Sequence, residues 1–128
     1  MTMEVKLMFK PISLVISIFI ISFSLVLGDE KGTTITIIGE PIDPACYITM
    51  GSKGIDHKAC AEACNKAGQS LAILANDGSL YFAIEGVPGT SPDSMLAPFI
   101  GTKVKVTGKV FERGGSKAMV VEKVEPMK

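Results

Sequence analysis

The chain has 128 residues, with 13 basic and 13 acidic residues, three cysteines and one histidine, a length that suits one domain. Lys6, Lys10 and Glu4 are the only charges in its first 28 residues, so the remainder carries one net negative charge, spread along the chain. That balance argues against a nucleic-acid partner, since phosphate binding needs a clustered cationic surface that releases counterions.

From the N-terminus, Lys6 and Lys10 precede a run at residues 12–27 in which every residue is apolar or Ser, the n-region and h-region of a secretory signal. Lys before the run and Asp29-Glu30 after it orient the body away from the cytoplasm. A helix of that length reaches about 24 Å, short of a hydrocarbon core of about 30 Å, which favours cleavage before Asp29 over retention as an anchor. No Cys follows the run, so a lipoprotein anchor is not expected. Residues 1–28 are thus read as signal peptide or N-terminal membrane anchor and residues 29–128 as an extracytoplasmic domain, periplasmic or secreted. The membrane is met only through residues 12–27, and only if the leader stays.

In the body, TTITIIGE from Thr33 supplies β-branched residues for strand one, and Pro41 and Pro44 break the ladder, leaving Cys46 at the strand's end. DHKACAEACNKAG then turns to Ala, Lys and Glu, which predicts a helix at 57–67 capped by Asp56 and ended at Gly68. SLAILAN and SLYFAIEG are strands two and three, joined at Asp77-Gly78 by a two-residue turn. Alternation puts Leu80, Phe82 and Ile84 on one face and Tyr81 and Ala83 on the other. Tyr47, Tyr81 and Phe82 are expected to pack in the core and not to stack on bases. Ser91-Pro92-Asp93 opens a short helix, with Ser91 as cap and Pro92 as first residue, that stops before Pro98. Phe99 and Ile100 then plug one barrel end. KVKVTGKVFER and AMVVEKVE, split by Gly114-Gly115, are strands four and five. Gly108 marks a sharp bend.

Three strands, a short helix and two strands resemble an OB-fold, and GTKVKVTGKVFERGGSKAMVVEKVEP is similar to the last hairpin of small exported bacterial OB-fold proteins. The resemblance implies a mainly β, five-stranded Greek-key barrel with its helix between strands three and four, and a strand one to two loop that recognises ligands. Here that loop has grown into an insertion at 44–68, which holds every Cys and the only His of the chain.

His57, Cys60 and Cys64 stand at i, i+3 and i+7, within about 60° of arc on a helix. Cys and His one turn apart suit Zn–S and Zn–N bonds. Three ligands on one helix leave a tetrahedral ion open on its far side, where Cys46 is the closing ligand and Met50 a softer alternative for Cu(I). Near a helix start the macrodipole favours a thiolate at Cys60. Glu62 and Lys66 point away from the stripe. The CxxxC spacing with a nearby His is similar to the metal stripe of exported copper-handling proteins of the Sco type. That family has a thioredoxin fold, a Pro after the second Cys and a His distant in sequence, whereas Asn65 follows Cys64 here. Haem attachment is not expected, because C-x-x-C-H is absent.

The leading expectation is a non-catalytic exported metal-binding module for Zn or Cu, with Cys46, His57, Cys60 and Cys64 as ligands. Two readings stand beside it. One is a thiol–disulfide or electron-transfer protein with Cys60 as nucleophile and Cys64 or Cys46 as resolving thiol. The other is a structural barrel that binds an envelope partner, protein or glycan, with Cys46 paired to Cys60 or Cys64 to staple the loop. Hydrolase chemistry lacks a Ser elbow and a carboxylate pair.

Overall fold

Strand β1 (Thr33–Ile42) does not stop at Glu40 as expected but runs through Pro41. The reason lies in its partners. Residues 33–39 pair antiparallel with β4 (Val104–Arg113), and residues 39–42 pair with β2 (Ala72–Ala75), with Gly39 opposite both Val104 and Ala75. Beyond Gly39 the strand has lost β4, an edge-like setting in which proline is tolerated. The computed structural model describes residues 31–128. The leader expected at residues 1–28, and with it the question of cleavage or anchoring, lies outside the described residues.

β2 returns to β3 (Leu80–Ile84), β3 runs parallel to β5 (Ser116–Pro126), and β5 pairs with β4, which closes a five-stranded barrel in the order β1-β2-β3-β5-β4. The chain is therefore mainly β, with its helices confined to the connections. The β4–β5 hairpin turns at Gly114-Gly115, where both residues have positive φ (58° and 77°), as a two-residue primed turn requires. The β2–β3 turn is longer than expected: Ala75 N donates to Ser79 O (2.9 Å) and Gly78 N to Ala75 O (3.0 Å). Three residues fill the turn, and Gly78 at φ 86° takes the left-handed position that ends such loops.

Gly108 lies at a register shift between β4 and β5. A Cβ there would fall against the Val120 carbonyl oxygen and 2.7 Å from Met119 Cγ, so the bend brings backbone into contact with backbone.

The interior holds Leu71, Ile73, Leu96, Ile100, Val104, Val106 and Met119, all fully buried. On β3 the inward residues are Tyr81 and Ala83, while Phe82 and Ile84 are exposed. Phe82 is thus not a core residue, because the register of β3 against β2 and β5 turns the Tyr81 and Ala83 face inward. Between β3 and β4 the short helix starts at Asp93, one residue later than expected, with Pro92 as its cap residue. Ser91 Oγ still accepts the Asp93 amide (3.2 Å). The helix (Asp93–Leu96) passes into a 3-10 turn (Ala97–Phe99) that carries Pro98, and Leu96 and Ile100 fill the barrel end with Phe99 packed beside them. Among the described residues no helix is long and apolar enough to cross a membrane.

Candidate metal centre

The excursion between β1 and β2 begins with a helix not foreseen from the sequence. Asp43 has extended backbone and caps helix α1 (Pro44–Met50), its Oδ1 accepting from Ala45 N (2.8 Å) and Cys46 N (3.3 Å). Pro44 then occupies a first-turn position where its missing N–H is no loss, and Gly51 ends the helix at φ 71°. Cys46 therefore sits in the first turn of α1 and not at the end of strand one. Tyr47 packs on Ile42, Ala72 and Leu74 and seats the helix on the barrel. Met50, the softer ligand considered above, ends α1 with its side chain largely exposed.

The chain next returns to β1. Glu40, only 6% exposed, accepts the Gly54 amide at Oε2 (2.9 Å), and Gly101 approaches the Gly54 carbonyl so closely that a Cβ there would lie 2.9 Å from its oxygen. From this fixed point a 3-10 turn (Ile55–His57) leads into helix α2 (Lys58–Lys66). The helix is shorter than 57–67, and no side chain caps it: His57, not Asp56, is the cap residue. Lys58 N instead bonds Ile55 O, so the 3-10 turn satisfies an amide that a side chain would otherwise serve.

Helix α2 buries Ala61 against the barrel. Its far end is tied by Asp93, whose Oδ2 accepts from Asn65 Nδ2 (3.0 Å) while Oδ1 accepts the Leu71 amide (3.1 Å). Glu62 forms an exposed pair with Lys58 (3.8 Å), of little energetic weight.

These connections bring the Cys and His residues together. Ligand atoms of Cys46, His57 and Cys60 lie within 4.8 Å of one another, and so do those of Asp43, Cys46 and Cys64. All four residues singled out from the sequence take part, in two triads that share Cys46. All three thiols are free, Cys60 exposed and Cys46 and Cys64 half-buried. His57 Nε2 is sealed from solvent without a hydrogen-bond partner, an arrangement that buried polar atoms rarely tolerate. Asp43 was missed by sequence reasoning. Its signal was the Asp-Pro pair ahead of the Ala-Cys run, a helix start that was read as a strand break.

The electrostatics follow from this crowding. Partial burial pushes the Cys46 thiol up to about 11, with contact and charge repulsion from Asp43 and then the charges of Cys60 and Cys64 adding to it. Cys64 is raised as well, first by hydrogen bonding to Asp43 and then by burial. Burial acts to raise the Asp43 carboxyl, but the amides of Cys46 and Ala45 and the facing thiols of Cys46 and Cys64 together hold it below its ordinary value. One carboxylate is thus surrounded by neutral thiols that resist ionisation in the absence of a cation.

Such groups could hold a metal ion. Tetrahedral Zn ligands stand roughly 3.5 Å apart, given Zn–S and Zn–N bonds of about 2.3 and 2.0 Å, so small side-chain rotations would close either triad. No protein-family model matches the chain, and comparison with curated proteins and with solved structures finds no match either.

Proposed function

We propose that the chain is an exported metal-binding module on an OB-type barrel, taking a borderline or soft cation, Zn²⁺ or Cu⁺, at Cys46, His57 and Cys60 with Cys64 beside them. The convergence of Cys46 from α1 with His57 and Cys60 from the start of α2 carries this reading. These residues come from separate turns, and imidazole with thiolate is a donor set suited to both ions. The buried, unpartnered Nε2 of His57 adds support.

The strand order β1-β2-β3-β5-β4 and the helix between β3 and β4 support the OB-type assignment. The Lys-flanked apolar run at residues 12–27 supports export.

The test is metal content by elemental analysis of the chain purified in reductant. Stoichiometric Zn or Cu is expected, with a fall in Cys46→Ala and Cys60→Ala. A metal-free wild type, or uptake unchanged in Cys60→Ala, would overturn the proposal.

The proximity of the three thiols also favours a second reading, thiol–disulfide exchange. Against it stands the state of the resolving thiol: resolution of a mixed disulfide needs a thiolate, and Cys46 and Cys64 both ionise above their ordinary value.

A further inference from the structure

We infer that the two triads are filled together, by two divalent cations bridged through the Cys46 thiolate. This rests on the metal-binding reading above and extends it from one ion to a dinuclear centre of the Zn²⁺ class.

Cys46 belongs to both triads, with its sulfur within 4.8 Å of His57 and Cys60 ligand atoms and within 4.8 Å of those of Asp43 and Cys64. A thiolate sulfur has lone pairs for two metals. The other four donors fall into two pairs, His57 and Cys60 in one triad and Asp43 and Cys64 in the other. Each ion then has three protein ligands and one position left for solvent, the ligand count of an open zinc site.

Charge is compatible with the same occupancy: with all four acidic donors ligated, three thiolates and the Asp43 carboxylate carry four negative charges, which two divalent ions balance. Two monovalent copper ions do not, and they meet a hard carboxylate that suits them poorly. Zn²⁺ accepts thiolate, imidazole and carboxylate alike. The cap leaves Asp43 Oδ2 to the thiol side of the site, since both of its amide bonds go to Oδ1.

The experiment titrates the chain, purified in reductant and stripped of metal, with Zn²⁺ and in parallel with Co²⁺ as a spectroscopic probe. Two equivalents are expected, with thiolate-to-Co²⁺ absorption growing through both, and magnetic coupling between the two Co²⁺ ions that is absent at one equivalent. Asp43→Asn and Cys64→Ser should each stop at one equivalent. Cys46→Ser should abolish the coupling and weaken both sites at least tenfold. Asn at position 43 retains the cap acceptor, Cys64→Ser leaves the cap untouched, and far-UV circular dichroism reports the fold of each. Saturation of wild type at one equivalent would overturn the bridge while leaving the metal-binding proposal intact. So would a second equivalent that survives Cys64→Ser. A wild type that binds no ion at all would instead remove the metal-binding proposal itself.

Discussion

Glu40 Oε2 accepts the backbone amide of Gly54 at 2.9 Å, a bond that ties the buried end of β1 to the loop from which His57 rises. Cutting the carboxylate away in Glu40→Ala strands that amide, a loss of about 1–3 kcal/mol. The urea midpoint should fall at unchanged slope, and metal uptake should weaken because His57 loses its fixed point. Glu40→Gln keeps an acceptor and should recover most of both.

Asp43 acts first as a helix cap. Asp43→Ala removes the acceptor for the Ala45 and Cys46 amides and should lower stability by about 0.5–2 kcal/mol. Asp43→Asn, which still caps, should stay near wild type in the same denaturation experiment. A large loss in the Asn variant would mean that the charge, not the cap, holds α1 in place.

At Gly108 the bend of β4 leaves no room for a methyl group, which would press on the Val120 carbonyl and on Met119. Gly108→Ala should therefore destabilise by about 1–3 kcal/mol through overpacking. Gly78→Ala meets open space and only a positive φ of 86°, and should cost about 1 kcal/mol. Thermal melts of the two variants give the comparison.

Thiol titration predicts a pH window. In the unfolded chain the Cys46 thiol ionises at its ordinary 9.0, and in the folded chain at about 11. Between those values the unfolded state has lost a proton that the folded state retains, so the metal-free protein is fully stable below pH 9 and loses stability as pH rises through 11. Cys46→Ser should show a shallower loss in melts across that range. At about pH 8, iodoacetamide should label Cys46 on the order of a hundredfold more slowly in the folded than in the unfolded chain, in line with its thiolate fraction. Asp43 works in the opposite direction: lowered from 3.8, it stabilises above that value and the contribution is lost as pH falls below it.

Much of the barrel is legible in the residues. The Lys/Val alternation of KVKVTGKV and the Gly114-Gly115 turn specify the β4–β5 hairpin, and the HxxCxxxC spacing marks His57, Cys60 and Cys64 before any fold is known. Two things were not legible, each for a physical reason. Alternation in LYFAI identifies two faces of β3 without saying which is inward, and the choice of Tyr81 over Phe82 is made by the register of β3 against β2 and β5. Pro41 and Pro44 read alike as breakers, yet one lies where β1 has lost a partner and the other opens α1. The entry of Asp43 into the site then depends on the start of α1 coming close to Cys64 of α2, a tertiary event with no local signature.

Gly39 is the corner at which β1 passes from β4 to β2, and a Cβ there would lie 2.5 Å from the Leu74 carbonyl oxygen. Everything the site is built on follows directly: Glu40 to hold the loop, Pro41 to accept the Gly101 amide, Asp43 to start α1 and Cys46 one turn further on. The barrel corner and the first candidate ligands are thus one continuous stretch of chain. In eight consecutive residues, Gly39-Glu40-Pro41-Ile42-Asp43-Pro44-Ala45-Cys46, the corner and the first half of the candidate site share one backbone, so an insertion there would move Asp43 and Cys46 relative to the barrel.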